Sequence, residues 1–216
     1  MILCLVLLAS APLMVVAWVK LHLPEELHLP NRPKLAGPDV LLKSGTGFRR
    51  DDPRWPGPFG GISPVFANTG SLVCSISSAL SYERVDLDPA RLHQLLTEAK
   101  GYTPDGRVNW DALRSVIKGR AGVEIPHQPG QPVIDQALGR GHPVIARIHL
   151  PSGQSHWVTI VGRRGGEYLV HDPLGKGSEL EPLSKYDSDI HGIRIIFRIV
   201  PPTSQPMSWP VEASRG

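Results

Sequence analysis

The stretch PVIARIHLPSGQSHWVTIVGRRGGEYLVHD, residues 143–172, decides the fold class of this chain. It contains three runs rich in β-branched and aromatic residues, at 143–150, 155–162 and 167–172, separated by PSG and RRGG. Short runs of this composition, bounded by Gly, Pro and Ser, are typical of strands joined by turns. A fourth run, GIRIIFRIV at 192–200, follows a longer polar loop. We therefore predict a meander of antiparallel strands in the second half of the chain.

The part of the chain before these strands has helical periodicity. Helices are expected from near Cys74 through SISSALSY, and over DPARLHQLLTEAK (88–100), NWDALRSVIKG (109–119) and PVIDQALGRG (132–141). Asp88 and Asn109 stand where N-caps are needed. Helices followed by strands indicate an α+β domain in which a helical layer packs on one side of an antiparallel sheet, with a cleft between the layers.

Length and composition favour one folded domain and exclude several classes of function. The chain has 216 residues, of which 41% are hydrophobic, and this is enough for one substantial core. A net charge of +3, without a block of lysines interleaved with aromatics, does not indicate nucleic-acid binding. Neither a phosphate-binding loop nor a dinucleotide fingerprint occurs, so no cofactor is predicted. Turns interrupt the spacing of His142, His149 and His156, so a zinc site is not predicted.

The two ends of the chain are expected to lie outside this domain. Residues 1–19 carry no charged side chain and are long enough to span a bilayer as one hydrophobic helix. The absence of Lys or Arg before the apolar run favours an uncleaved anchor, whereas the triplet ASA at 9–11 favours a cleaved signal peptide. The side of the membrane on which the domain lies stays open. Prolines predict an extended spacer over 20–47 and a flexible tail over 201–216, which leaves a domain at 48–200.

Cys74 is the cysteine that could carry chemistry. The other cysteine, Cys4, lies in the apolar N-terminal segment, so Cys74 is predicted to be a free thiol. At a helix start the positive end of the helix dipole lowers a thiol pKa and so favours the nucleophilic thiolate. The alternative is that Cys74 is simply a small buried residue, because free cysteine is among the most buried residue types.

His156 and Asp172 are candidates for a base and for the group that orients it. His156 opens the strand at 155–162 and Asp172 closes the strand at 167–172. In an antiparallel hairpin the start of one strand lies beside the end of its neighbour, so these side chains can meet at one rim of the sheet. A histidine oriented by a carboxylate is the usual partner of a catalytic thiol. The alternatives are a partly exposed histidine and an Asp-Pro turn.

Six segments of the chain occur in the order found in a known family. They are DPRW (52–55), CSISSAL (74–80), TPDGRVNWDAL (103–113), GHPVIARI (141–148), SHWVTIVG (155–162) and YLVHDPLG (168–175). In this order they resemble the peptidase-like domains related to the double-glycine leader peptidases of bacteriocin exporters, over most of residues 50–175. The resemblance implies a papain-like cysteine peptidase fold, with Cys74 as nucleophile, His156 as general base and acid, and Asp172 orienting the imidazole.

Two positions depart from the pattern of that family. The family usually has Gln where this chain has Arg50, and the Gln amide helps to form the oxyanion hole; it usually has Gly where this chain has Val73. Arg50 and Asn68 are the candidate replacement donors. Loss of one oxyanion donor costs about 100-fold to 1,000-fold in rate in a hydrolase.

The expected function is therefore that of a membrane-anchored cysteine peptidase with a peptide or protein substrate. Two alternatives stay open. One is a catalytically degenerate module that binds a peptide or glycan in the same cleft, and the other is an acyltransferase or amidase on the same fold, since a Cys-His-Asp triad transfers acyl groups to any acceptor. The membrane is an expected partner through the N-terminal helix, nucleic acid is not, and the oligomeric state is open.

Overall fold

The computed structural model of the chain describes residues 27–34, 38–55 and 64–200, apart from the side chains of 64–68. The elements within these ranges are β1 Val40–Leu41, α1 Pro64–Tyr82, α2 Pro89–Glu98, α3 Trp110–Val116, β2 Ala121–Glu124, α4 Gln131–Gly139, β3 Val144–His149, β4 Ser155–Arg164, β5 Glu167–His171, β6 Glu181–Pro182 and β7 Gly192–Arg198. The predicted α+β class is confirmed. The predicted anchor at 1–19 and tail at 201–216 lie outside these ranges, and no helix within them has the length and apolarity to cross a bilayer.

The strands form one antiparallel sheet whose order differs in part from the prediction. The order is β2-β7-β3-β4-β5-β6, and β1 pairs with β4. β3, β4, β5 and β6 are neighbours in chain order, as a meander requires. The prediction was wrong for the last strand, because β7 returns across the sheet to pair with β3 and β2 instead of continuing past β5. The long loop after β5 gives the chain the reach to make that return.

One face of the sheet is covered by the first three helices. α1 lies on β4, where the Trp157 N–H donates to Ser71 Oγ (3.3 Å) and the Thr159 hydroxyl donates to the Ser75 carbonyl (3.0 Å). Apolar side chains of α1, α2 and α3 pack there against Ile145 and Ile196 of the sheet. This side, called the helical face below, carries the first of two cores.

The opposite face of the sheet carries the second core, so the prediction of one helical layer on one side of the sheet was wrong for the fourth helix. Ile134, Ala137 and Leu138 of α4 pack there against alternate residues of β3 and β4, such as Val144 and Val158. Because successive side chains of a strand point to opposite faces, the two cores use different residues of the same strands. We call this side the α4 face.

The first helix begins earlier than the sequence predicts. A helix starting near Cys74 was expected, but α1 begins at Pro64 and runs to Tyr82. Proline suits the first position of a helix, where its missing N–H needs no partner. The expectation that Cys74 stands at a helix start was therefore wrong, and the thiol lies in the middle of α1.

The two predicted N-caps are confirmed. Asp88 accepts a hydrogen bond from the Arg91 N–H at 2.7 Å, and Asn109 accepts one from the Asp111 N–H at 2.9 Å. Each cap satisfies an N–H group that the first turn of a helix leaves without an intrahelical partner. Local side-chain chemistry thus sets where α2 and α3 begin.

Part of the predicted spacer contacts the folded domain. Within 20–47, β1 pairs with β4, the Leu42 N–H donates to the Val161 carbonyl at 2.9 Å, and Leu29 forms a bridge with Ile190. Gln131 at the start of α4 also donates to the Pro30 carbonyl at 2.9 Å. The described residues of this segment are therefore packed on the domain.

Candidate functional site

His156 and Asp172 are joined in the structure as the sequence predicted. The His156 Nε2 lies 2.8 Å from Asp172 Oδ1, and both side chains are buried, at 1% and 0% exposure. His156 is the second residue of β4, and Asp172 directly follows β5. The β4–β5 hairpin brings these two positions together at one end of the sheet.

Asp172 is also held by groups that the sequence did not point to. Its Oδ2 accepts hydrogen bonds from Lys185 Nζ and from the Tyr186 hydroxyl, each at 2.5 Å. Its Oδ1 accepts the Leu174 N–H at 2.8 Å. We call Asp172, His156, Lys185 and Tyr186 the Asp172 cluster.

The cluster keeps Asp172 ionised. Burial acts to raise the pKa of Asp172, but the hydrogen bond and charge of His156, followed by the hydrogen bonds of Lys185 and Tyr186, hold that pKa well below its usual range. Burial first, and then the hydrogen bond to Asp172 and its negative charge, raise the pKa of Tyr186. The tyrosine therefore stays a hydroxyl donor and the aspartate stays an acceptor.

An ionised Asp172 fixes the tautomer of His156. A carboxylate can only accept, so the nitrogen that faces it, Nε2, must carry the proton. In neutral imidazole the other nitrogen, Nδ1, is then the one able to take up a proton. This is the arrangement that a general base needs, because the orienting carboxylate also stabilises the imidazolium that forms.

Cys74 lies in a different environment. It is fully buried, at 0% exposure, in the middle of α1. Burial raises the pKa of the thiol, and Asp52 and Asp51 raise it further, while Arg50 opposes them. A thiol with a raised pKa is a poor nucleophile, since the thiolate is the reactive form.

Cys74 is not hydrogen-bonded to the His156–Asp172 pair. In the part of the chain that the structure describes, no hydrogen bond connects the thiol with His156, whose ring partner is Asp172. Trp157 and Thr159 point to the helical face, where α1 lies, so alternation directs His156 to the α4 face, beside Tyr186. The structure thus brings two of the three predicted residues together and leaves the triad a prediction.

Arg50 acts electrostatically on both of these environments. Its backbone N–H donates to the carbonyl of Pro173, the residue after Asp172, at 3.1 Å. Its positive charge lowers the pKa of both Cys74 and Tyr186 against the effect of burial. Its role as an oxyanion donor stays a prediction.

The other positions singled out in the sequence lie on α1. Asn68 is on this helix, and its side chain is not among those described. Val73, where the family usually has glycine, is fully buried in the core of the helical face.

Sequence reasoning missed Lys185 and Tyr186. Both lie in the connection between β6 and β7, in or directly after the short 3₁₀ helix Leu183–Lys185. Lys185 also pairs with Glu181 at 2.8 Å. An isolated Lys-Tyr pair in a polar loop has no periodicity or spacing that points to Asp172. The loop conformation alone brings it there.

Comparison with known proteins gives limited matches. No protein-family model matches the chain, and no curated protein matches it. Among solved structures, a proposed C39-like peptidase from Bacillus anthracis aligns with a TM-score of 0.48 and 11% sequence identity, over 76% of this chain and 98% of that chain. Among the described residues no group of three or more His, Cys, Asp or Glu side chains is arranged to hold a metal.

Proposed function

We propose that the protein is a papain-like cysteine peptidase, with Cys74 as nucleophile, His156 as general base and acid, and Asp172 as the group that orients the imidazole. The observation that carries the proposal is the buried His156–Asp172 hydrogen bond of 2.8 Å. This hydrogen bond holds the histidine in one tautomer, as a general base in a thiol peptidase requires. The order of six family-like segments along the chain supports the same assignment.

The proposed reaction is acyl transfer to sulfur and then to water. His156 Nδ1 takes the proton of the Cys74 thiol, and the thiolate attacks the amide carbonyl to form a tetrahedral oxyanion. The C–N bond breaks and the imidazolium returns its proton to the leaving amine. Water, deprotonated by the same nitrogen, then attacks the thioester, which releases the carboxylic acid and restores the thiol.

This mechanism sets a requirement on Cys74. The thiol is buried in α1 on the helical face with a raised pKa, whereas His156 is directed to the α4 face, so α1 and the sheet must rearrange until the thiol contacts His156 and substrate before it can react. An imidazole within hydrogen-bond distance would lower the energy of the thiolate as an ion pair. The proposal therefore predicts a thiol that reacts slowly alone and faster with a substrate-like electrophile.

The environment of Cys74 also favours a second candidate, a non-catalytic peptide-binding module on the same fold. A fully buried thiol in the middle of a helix is the ordinary state of a structural cysteine. The hydrogen bonds from Lys185 and Tyr186 to Asp172 also suit a purely structural cluster. This candidate predicts binding without turnover.

Peptide hydrolysis by the full chain distinguishes the two candidates. A quenched-fluorescence peptide library is incubated with the wild type, with Cys74→Ser and with the matched control Cys4→Ser. The peptidase proposal predicts cleavage by the wild type and by Cys4→Ser, and a loss of at least about 1,000-fold in Cys74→Ser. Equal cleavage by all three proteins, or no cleavage by the wild type, contradicts it.

A further inference from the structure

The hydrogen bonds around Asp172 continue outward to the protein surface. Lys185 Nζ donates to Asp172 Oδ2 at 2.5 Å and also to Glu181 Oε2 at 2.8 Å. The exposed fraction of the side chain is 1% in His156 and 0% in Asp172, but 27% in Lys185 and 22% in Glu181. We call His156, Asp172, Lys185 and Glu181 the ion network. The proposed mechanism uses only its two buried members.

Lys185 is held as a cation in this network. Burial acts to lower the pKa of Lys185, but the hydrogen bonds and charges of Asp172 and Glu181 hold that pKa above its usual value. The ammonium also lies over the Tyr186 ring, 4.8 Å from the centroid, and this contact favours the charged form. A positive charge therefore stands directly against the carboxylate that orients His156.

The charge of Lys185 opposes the protonation of His156. An imidazolium is stabilised by the negative charge of the carboxylate that faces it. Here that carboxylate is shared, because His156 bonds to Oδ1 of Asp172 while Lys185 bonds to Oδ2. The ammonium and the imidazole are separated by one carboxylate group, and like charges this close disfavour each other.

Glu181 acts in the opposite direction. Its carboxylate pairs with the ammonium of Lys185 and offsets part of that charge. Its other oxygen, Oε1, accepts the Lys176 N–H at 3.3 Å, which holds the carboxylate beside Lys185. Removal of the Glu181 charge would therefore leave the full charge of Lys185 to act on Asp172 and His156.

Other elements packed around His156 bring different groups to it. The Tyr186 ring lies 5.9 Å from the His156 ring between centroids, and its raised pKa keeps its hydroxyl neutral. On β3 the residue in register with His156 is Ile148, which carries no charge. Arg50, in the segment before α1, acts on Tyr186 through its positive charge. Lys185 is the cation that bonds directly to the orienting carboxylate.

We propose that Lys185 is a positioning residue that sets the pH range in which His156 works as a base, and that Glu181 moderates its effect. Because Lys185 weakens the support that Asp172 gives to the imidazolium, His156 stays neutral in more acidic solution than it would beside an unshared aspartate. This inference deepens the proposed function by describing how its base is regulated. It rests on that function only for hydrolysis, because protonation of His156 is measurable without turnover.

A nuclear magnetic resonance titration of the full chain tests this effect. The histidine ring nitrogens are isotopically labelled, and the His156 signals are identified by their absence in His156→Gln. Lys185→Met should move the midpoint of the His156 titration to higher pH by at least about 0.5 unit, because it removes a like charge. Glu181→Gln should move the midpoint to lower pH. An unchanged midpoint in Lys185→Met, or shifts of the same sign in the two variants, overturns the proposal.

Two further variants separate the charge of Lys185 from its packing. Lys185→Arg keeps the charge and should keep the wild-type midpoint, whereas a shift equal to that of Lys185→Met would mean that packing decides. Lys176→Met is the matched control, because Lys176 is exposed in the loop between β5 and β6 and pairs with Glu179. An equal shift in this control contradicts the assignment. If Lys185→Met does not fold, Glu181→Gln decides, and a midpoint that is unchanged or raised overturns the proposal.

The pH dependence of peptide cleavage measures the consequence for hydrolysis. The acid limb of kcat/KM reports the protonation of essential groups in the free enzyme, so Lys185→Met should move that limb to higher pH together with the resonance midpoint. A limb that stays in place while the midpoint moves would overturn the regulatory role of Lys185. Failure of the wild type to cleave any peptide would count against the proposed function, while the resonance titration would still test the effect of Lys185 on His156.

Discussion

The two faces of the sheet carry two charged clusters that are built in opposite ways. On the α4 face, Asp172 is buried and accepts hydrogen bonds from His156, Lys185 and Tyr186. On the helical face, Arg194 is half-buried beside positive charges and keeps one buried N–H without a partner. The first cluster has a hydrogen-bond partner on each carboxylate oxygen of Asp172, whereas the second leaves one buried N–H of Arg194 without a partner.

This difference indicates different contributions to stability. A complete buried cluster is costly to disrupt, because removal of one member leaves the others desolvated and unmatched. A half-buried arginine that leaves one N–H without a partner contributes little to folding, so its substitution should have a small effect on stability. Substitutions at Asp172, Tyr186 and Arg194 test whether the two clusters differ in this way.

The largest effect is expected at Asp172. Asp172→Asn removes the charge that His156 and Lys185 face, and it should lower the free energy of unfolding by about 3–5 kcal/mol. Urea denaturation followed by circular dichroism measures the change. Asp187→Asn is the matched control, since Asp187 is exposed in the same loop and should change stability little. A loss below about 1 kcal/mol at Asp172 would show that the cluster is not a stabilising unit.

A smaller loss is expected at Tyr186. Tyr186→Phe keeps the ring and removes one hydroxyl donor, while Asp172 retains His156, Lys185 and the Leu174 N–H. The free energy of unfolding should fall by about 1.5–3 kcal/mol, the range for a hydrogen bond to a charged group. The same urea titration checks this value. A loss as large as that of Asp172→Asn would mean that the tyrosine, and not the carboxylate, organises the cluster.

The pH dependence of stability should follow Asp172. Its pKa in the folded state is lowered, so its contribution is present above the unfolded value of about 3.9 and is lost as the pH falls through the folded value. Each unit of that lowering corresponds to about 1.4 kcal/mol. Urea titrations from pH 6 downward should show a steeper loss for the wild type than for Asp172→Asn. Parallel curves would contradict the assignment.

The smallest effect on stability is expected at Arg194. Arg194→Leu loses the contact with the Trp110 ring but also removes a like charge and an unmatched N–H. The free energy of unfolding should change by less than about 1 kcal/mol in either direction. A loss comparable to that of Asp172→Asn would mean that Arg194 stabilises the fold as much as Asp172 does.

Local sequence patterns predicted the features that depend on residues close together in the chain. The caps Asp88 and Asn109 and the meeting of His156 with Asp172 follow from short-range rules, since a cap acts within one turn and a hairpin pairs adjacent strands. The return of β7 to β3 was not predictable in this way, because strand order depends on packing across the sheet.

The candidate site shows the same limit. Lys185 and Tyr186 reach Asp172 through the conformation of a loop, and no pattern in the sequence indicates that conformation. The start of α1 was placed too late because the small residues around Cys74 suit a helix start as well as a helix interior. The spatial relation of Cys74 to His156 depends on how α1 packs on the sheet, which the order of segments does not determine.

The most direct test of the proposed peptidase is covalent capture of Cys74 by a peptide carrying a carbonyl electrophile. Intact-mass spectrometry of the full chain is compared for the wild type, His156→Gln and Cys74→Ser, after circular dichroism has shown that the variants are folded. The proposed mechanism predicts one adduct on Cys74 in the wild type, slower formation by at least about 100-fold in His156→Gln, and none on Cys74→Ser. Equal labelling of the wild type and His156→Gln, or labelling of Cys74 only after unfolding, would contradict it.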